Sequence, residues 1–345
     1  MILIIGAGPI GTYIAKKLAQ KGYFVSIYEE HESIGKPVHC TGLVTKEFFE
    51  YVTRSDYVLN ELSGARINAE RTLDLNMKEY VLDREKLDKY LAKQAVLAGA
   101  RIYLRHKFIG IKNGKAVFRI GDKLISVQYD YLIGADGPLS TVAKEINSPN
   151  TKFLSGIQAR IKGEFDSKFD VYFDTTNFFS WNVPESKTIA RIGLGGNNQI
   201  LFKQKLAGKK LIEYQGGLIP YYTLKAVQKD NLYLVGDAGS FVKDTTGGGL
   251  ISGFQSADAC VQSIVTGKSY EKYLKPLRKR LMLHSRIRRI LNKFTEKDYA
   301  ELIRLLSSNR CQKAFNNADR EKPAKLLSKL VFIEPRLLKF LFFGF

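Results

Sequence analysis

Met1-Ile2-Leu3-Ile4-Ile5-Gly6-Ala7-Gly8-Pro9-Ile10-Gly11 opens the chain, and the fold turns on how it is read. Residues 2–5 form a short apolar strand that runs directly into Gly6. Residues 12–21 carry helical spacing through Ile14, Ala15 and Leu18, Gly22 closes that segment, and residues 23–28 form a second strand. A lone G-x-G-x-x-G is weak evidence. Between a strand and a helix, with Glu29-Glu30 beginning 18 residues beyond Gly11, it is a dinucleotide-binding fingerprint. Gly6 permits the tight turn, Gly8 and Pro9 leave backbone room for a pyrophosphate, and Gly11 lets the helix lie close to the strand. The helix N-terminus then stabilises the phosphate charge, and Glu29 is placed to accept hydrogen bonds from ribose hydroxyls. The motif alone leaves open which dinucleotide binds.

The remainder of the composition narrows the class. The chain has 345 residues, 45% of them hydrophobic and 26% charged, which argues for a sizeable core and against disorder or a collagen-like repeat. At roughly 100–200 residues per domain, two domains or one large α/β unit are expected. Cys40, Cys260 and Cys311 are far apart, so neither a disulfide framework nor a four-thiolate site is possible. The four histidines show no ligand spacing, and no metal is expected. Residues 1–11 lack a basic n-region and a long apolar h-region, and no run of about 18 apolar residues occurs. Neither a secretory signal nor a spanning helix is expected, and the location read from this is cytoplasmic.

Two further glycine motifs repeat the device of the first. Tyr131-Leu132-Ile133 opens into Gly134-Ala135-Asp136-Gly137-Pro138, and Leu232-Tyr233-Leu234-Val235 into Gly236-Asp237-Ala238-Gly239 and then Thr246-Gly247-Gly248-Gly249-Leu250. Asp237 is placed to bond a ribityl hydroxyl, and the triple glycine to bring backbone N–H groups against a pyrophosphate and a flavin's pyrimidine edge. In this order and at these separations, the three motifs resemble the FAD-binding flavoproteins of the p-hydroxybenzoate hydroxylase-like class. That class carries an Arg on the helix before its middle strand. Tyr80-Val81-Leu82-Asp83-Arg84-Glu85-Lys86 fits that element, which makes Arg84 a candidate cofactor contact.

Within the class, the nearest resemblance is to the geranylgeranyl reductase family, which includes archaeal digeranylgeranylglycerophospholipid reductases. Three stretches carry it. Residues 29–42 are similar to the family's E-K-H…I-G-x-P-x-x-C-x-G segment, and residues 236–249 to its G-D-A-x-G-F-V-x-P-x-T-G-G-G loop. Phe179-Ser180-Trp181-Asn182-Val183-Pro184 resembles the Y-x-W-x-F-P motif that lines the family's lipid pocket. Asp244 stands where the family usually has proline, and Phe179 and Val183 replace its Tyr and Phe. The resemblance implies FAD as cofactor and a polyprenyl lipid as substrate. It also makes Cys40, beside His39 in the flavin-adjacent turn, both a cofactor contact and the best functional thiol; a buried, inert cysteine is the alternative. His39, Tyr221 and ordered water are the other proton sources. Phe179, Trp181, Pro184 and Tyr221 are candidate substrate contacts, with core packing as the competing reading of the rings.

Strand patterning at 156–163, 169–174, 177–184 and 188–194 resembles the antiparallel sheet that supplies the substrate wall in this class. The expected architecture is therefore α/β. A Rossmann-like FAD-binding domain spans 1–150 plus 224–267, with part of 55–80 entering the substrate sheet. An antiparallel-sheet substrate domain follows at 151–223, and a basic helical C-terminal region at 268–345.

That last region holds most of the charge. The chain has 54 Lys+Arg against 34 Asp+Glu, a net +20; residues 268–345 contribute 20 basic and 7 acidic residues, a net +13. Helical spacing at 277–294, 297–307 and 323–331 leads into Phe340-Leu341-Phe342-Phe343-Gly344-Phe345. Such an end either packs on the body or enters an apolar phase. A helical cap with a solvated basic face is the plainer reading, and attachment to an anionic membrane the sharper one. Nucleic acid ranks third, because no recognised nucleic-acid motif accompanies the charge. The leading expectation is a flavin-dependent reductase saturating polyprenyl C=C bonds at a membrane surface, with NAD(P)H or a small redox protein as electron donor. The alternatives are an FAD monooxygenase or quinone-linked oxidoreductase, and a basic binding protein with a relic flavin fold.

Overall fold

A run such as Ile2-Leu3-Ile4-Ile5, with no polar position to face water, suits a parallel strand covered on both faces. The computed structural model describes residues 1–149, 151–316, 318 and 321–344, and in it all four side chains are buried. The strand Ile2–Ile5 lies inside a six-stranded sheet ordered Gln228–Lys229, Leu232–Leu234, Tyr131–Gly134, Ile2–Ile5, Val25–Tyr28, Arg101–Tyr103. Ile5 pairs in parallel with Tyr28 on one side and Gly134 on the other. The chain first builds outward from Ile2–Ile5 through Val25–Tyr28, then returns to its other side with Tyr131–Gly134. Strand order therefore reverses between these two strands, the place where open α/β sheets form a ligand crevice beyond their carboxyl ends. Both strands end there in glycine turns.

This sheet belongs to a compact unit made of Met1–Val38, Arg84–Phe153 and Ile219–Leu281. Its helices include Pro9–Ala19, Arg84–Leu97 and Leu250–Thr266. The unit also holds a three-stranded antiparallel sheet, Lys107–Lys112, Lys115–Ile120 and Lys123–Val127, which patterning had not revealed.

The second unit comprises His39–Asp83, Leu154–Leu218 and Met282–Phe345, of which Phe345 lies outside the described residues. It is built on an eight-stranded sheet ordered Lys210–Pro220, Phe153–Lys162, Ile189–Gly195, Ser180–Pro184, Lys168–Tyr172, Val58–Asn68, Thr72–Leu82, Leu43–Thr45. The pairings from Phe153–Lys162 through Lys168–Tyr172 are antiparallel, but Lys168–Tyr172 runs parallel to Val58–Asn68, so the sheet as a whole is mixed. Two expected strands are shorter than the patterning implied. The one read from residue 177 starts at Ser180, because Asn177 takes a left-handed turn conformation at φ 67°, and the one read to residue 174 stops at Tyr172.

The C-terminal segment is helical, with Tyr270–Leu291, Glu296–Leu306, Asn309–Asn316 and Pro323–Ile333. Thr295 and Asp298 form a capping box on the second of these. Phe294 contacts both Tyr299 and Phe340, and Phe173 of the sheet stacks on Tyr299 at 4.1 Å, so the chain packs on the second unit as far as Phe340. Among the described residues, no helix is long and apolar enough to cross a membrane.

A charged cluster is buried in this sheet. Arg191 and Glu185 each keep only 4% of their side-chain surface exposed and are directly paired, while Arg160 bonds both Glu185 oxygens at 2.8 Å. Arg191 also donates to the carbonyl oxygens of Thr41 and Leu82. Burial pushes the Glu185 carboxyl up, but the two guanidinium groups outweigh it and hold the group below its ordinary 4.5. A depressed carboxylate pKa adds stability above the ordinary value, and that stability is lost as pH falls through the depressed one. Glu185→Gln is expected to cost about 3 kcal/mol in urea unfolding near neutral pH, because it leaves buried cations unpaired. The gap to the parent should narrow in acid, below the ordinary carboxylate range.

Candidate functional site

The glycine motifs, far apart in the chain, converge in the first unit because positions without side chains let their backbones touch. Gly6 sits at φ 101°, and a Cβ there would fall 2.5 Å from the Ala135 oxygen, so the first and second motifs lie against each other. Gly11 faces the Gly6 carbonyl so closely that any Cβ would collide with it. Ile10 of the first motif packs on Gly236 and Gly253, which brings in the third. Gly249 closes on Asp237, whose Oδ1 would lie 2.9 Å from an added Cβ, and Gly248 faces the Lys243 side chain. Gly8, Gly137 and Gly247 differ: nothing lies within 4 Å of a Cβ at Gly8 or Gly137, and Gly247 takes a left-handed φ of 68° in the bridged turn between Lys243 and Gly248.

Two helices begin at this junction without side-chain caps. Pro9–Ala19 follows Gly8, with Pro9 in its first turn, and Leu250–Thr266 follows Gly249 with Leu250 as its first residue. The first N–H groups of a helix lack intrahelical partners, and the helix dipole adds positive potential there.

The acidic and basic candidates divide. Glu29 accepts from the Ala7 amide at 2.7 Å and pairs with His31, locking the end of the second strand onto the glycine turn. Glu30 is not part of the cluster and pairs with Lys107 on the exposed surface. Arg84, at the start of its helix, bonds Asp88 bidentately at 3.1–3.2 Å. Burial pushes the Asp237 carboxyl up to about 6, against the pull of Arg84. Asp136 accepts from the amides of Thr141 and Val142 with Oδ2, capping the helix Thr141–Glu145, while its buried Oδ1 has no partner. Burial also raises Asp136 and lowers Lys225, a buried lysine that bonds Thr151 at 3.0 Å and that sequence reading missed. Asp244, the departure from proline, accepts from the Tyr222 amide at 2.6 Å, a bond proline could not make. Tyr221 belongs to this unit, its amide bonding the Lys152 carbonyl.

The remaining candidates lie in the second unit. His39 Nδ1 meets the Gly216 carbonyl, and the Gly42 amide donates to Cys40 Sγ at 3.3 Å. Cys40 is partly exposed, whereas Cys260 and Cys311 are buried. Trp181 is 8% exposed and half-buried Phe179 meets it edge-on at 6.0 Å; Phe178 stacks on Phe179 at 4.1 Å. Pro184 is buried, and its carbonyl accepts from Asn60. Among the described residues no His/Cys/Asp/Glu cluster could hold a metal.

Residues 1–180 match the FAD binding domain family. The chain belongs to that family. It is 26% identical over 359 residues to the digeranylgeranylglycerophospholipid reductase of Methanothrix thermoacetophila, covering 89% of this chain and 91% of the other. It is 29% identical over 300 residues to an uncharacterised protein of Methanocaldococcus jannaschii, covering 79% and 75%. The crystal structure of a geranylgeranyl bacteriochlorophyll reductase-like protein from Thermoplasma acidophilum superposes with a TM-score of 0.86 over 100% of this chain and 98% of that one, at 24% identity. The fold is thus the α/β arrangement of the p-hydroxybenzoate hydroxylase-like flavoproteins, and the cofactor is FAD.

The cradle fits that cofactor. Open space stands over Gly8 at an uncapped helix start, and a recessed carboxyl, Asp237, lies beside Gly249. Gly8 has an ordinary extended backbone, φ −67° and ψ 179°. Gly8→Val is therefore expected to fold with an unchanged apo melting temperature and to lose FAD, read as flavin absorbance after gel filtration. Gly11→Ala should lower the apo melting temperature as well, because its methyl would fall 2.0 Å from the Gly6 carbonyl oxygen.

Proposed function

We propose that this protein is an FAD-dependent reductase that saturates C=C bonds in the polyprenyl chains of a membrane lipid, or of a prenylated quinone. One observation carries the reading. The similarity to the Methanothrix reductase covers 89% of the chain, and so extends well past residues 1–180 into the sheet of the second unit. In this reading Gly6, Gly8, Pro9, Gly11, Glu29, Arg84, Asp136, Gly137 and the 236–250 loop hold FAD. Bound and reduced, FAD would supply the hydride chemistry that such a saturation needs.

The chain's own residues then have three tasks. The other alkene carbon needs a proton, and Cys40 is the proposed donor, its thiol held in direction by the Gly42 amide, with His39 as the neighbouring alternative. An isolated alkene is a poor electrophile, so placement and exclusion of water matter more than acid strength. Phe179, Trp181 and Pro184 would supply the apolar wall, and Tyr221 a further contact. NAD(P)H or a small redox protein would supply the electrons.

The C-terminal region would meet the membrane. It carries the net +13, and Phe332 stands 87% exposed beside Lys329 on the helix Pro323–Ile333. Aromatic and basic residues together favour an anionic interface.

Incubating the FAD-loaded protein with dithionite and a panel of prenylated lipids and quinones is expected to give products heavier by one hydrogen pair per bond reduced, read by mass spectrometry. Mass gain of one oxygen atom in air would mark a monooxygenase instead, and no change in any prenyl lipid would overturn the substrate. Phe332→Glu should leave the melting temperature unchanged and weaken sedimentation with phosphatidylserine vesicles. Unchanged sedimentation would remove this helix from the membrane contact.

A further inference from the structure

Gln158 sits in the middle of the strand Phe153–Lys162 with 3% of its surface exposed, in a sheet whose neighbouring positions are mostly apolar. A buried amide in such a place is costly unless its hydrogen bonds are made. Here they are. Oε1 accepts from Thr41 Oγ1 at 2.8 Å and from Trp181 Nε1 at 3.3 Å, and Nε2 donates to Gln215 Oε1 at 2.6 Å. Indole N–H can only donate, so the oxygen must face Trp181, and both of its lone pairs are used.

The bridge has two ends of different character. Thr41 follows Cys40 directly, and its carbonyl is the one Arg191 holds, so the turn that carries the thiol is tied to the sheet by side chain and main chain together. Trp181 is the sole tryptophan, and its ring fills the space that Gly193 leaves: a Cβ there would lie 2.5 Å from the indole and 2.6 Å from Gln158 Cβ. Ring, amide and turn therefore fit together only in this register.

We infer that Gln158 is a positioning residue that holds the Cys40 turn and the Trp181 ring in one fixed arrangement, and so sets where the thiol stands relative to the apolar wall. This rests on the reading of Cys40 and Trp181 given above, but its test does not require the lipid.

The chain provides a reporter at each end. Trp181 emission reads the indole, and reaction of the native protein with a thiol reagent reads Cys40, since Cys260 and Cys311 are buried. In the FAD-loaded protein, Gln158→Met keeps the side chain's length and removes every hydrogen bond. It is expected to shift Trp181 emission to the blue and to speed Cys40 labelling by about fivefold, the factor that follows from losing one net hydrogen bond. Gln158→Glu, which keeps the acceptor for both donors, should restore labelling and emission toward the parent. Thr41→Val, a milder change that removes the donor to Gln158, should by itself speed labelling, which keeps the test decisive if Gln158→Met folds poorly; where Gln158→Met folds, Thr41→Val should add nothing to it. Unchanged emission and labelling in Gln158→Met, or additive effects with Thr41→Val, would overturn the coupling. If the spectroscopic coupling holds while no prenyl lipid is reduced, the substrate reading fails and the positioning role stands. With a reducible lipid, Gln158→Met should lower kcat with KM little changed, and a rise in KM alone would assign Gln158 to binding rather than positioning.

Discussion

A Cβ on Gly11 would meet the carbonyl oxygen of Gly6, so the helix Pro9–Ala19 can rest where it does only because that position has no side chain. Everything in the first unit's cradle follows from this approach. With the helix close to the strand end, Ile10 reaches Gly236 and Gly253, and Gly6 reaches Ala135. Three loops separated by about a hundred residues or more then meet at the sheet's switch point. Two helices start at this junction without side-chain caps, and such a start is worth about 0.3–1 kcal/mol to a negative charge at a partly exposed site. Asp237 lies against Gly249 in this junction, and burial raises its carboxyl to about 6.

The second unit solves a different problem. Its sheet brings together segments far apart in sequence through a few buried polar groups. Arg191 bonds Glu185, Thr41 and Leu82; Gln158 bonds Thr41, Trp181 and Gln215. Replacing such groups by apolar ones of similar volume can leave stability unchanged, so stability alone is a weak reason for them. Register is a better one. A strand that slips by one residue turns its apolar face outward, and a buried polar group with named partners penalises the slip further.

This contrast accounts for what could be read from the sequence. The nucleotide motifs were legible because each glycine has a local task within a strand–turn–helix unit, and those units keep their spacing whatever lies elsewhere. Trp181 was visible as the one tryptophan, and Cys40 through the resemblance of residues 29–42. Gln158 and Arg191 were not, since their partner Thr41 lies 117 and 150 residues away, and a polar residue in a strand reads as solvent-facing until that partner is known. A signal did exist in Ile189-Ala190-Arg191-Ile192, where a charge interrupts an apolar run, but it tells of burial without telling of a partner. The sheet Lys107–Lys112, Lys115–Ile120, Lys123–Val127 was missed for a related reason. Its strands are lysine-rich, and the patterning resembles a solvated surface until Phe108 and Phe118 are seen in contact at 5.7 Å.

The basic surplus divides in the same way. Part of it is spent inside the fold: Arg278 bonds Glu271 and the Lys225 carbonyl, and Arg288 lies over the Phe178 and Phe179 rings. Charge counted from composition therefore overstates what a membrane would feel. For the proposed reductase the cation over the rings matters more. An apolar chain has no hydrogen-bonding handle near the bond to be reduced, so a protein can orient it only by the shape of the wall and the stiffness of that wall. Aromatic rings alone can slide or tilt against one another. Rings fixed by an indole hydrogen bond on one side and a buried cation on the other keep their shape, and a polar seam beneath an apolar face would suit the proposed substrate.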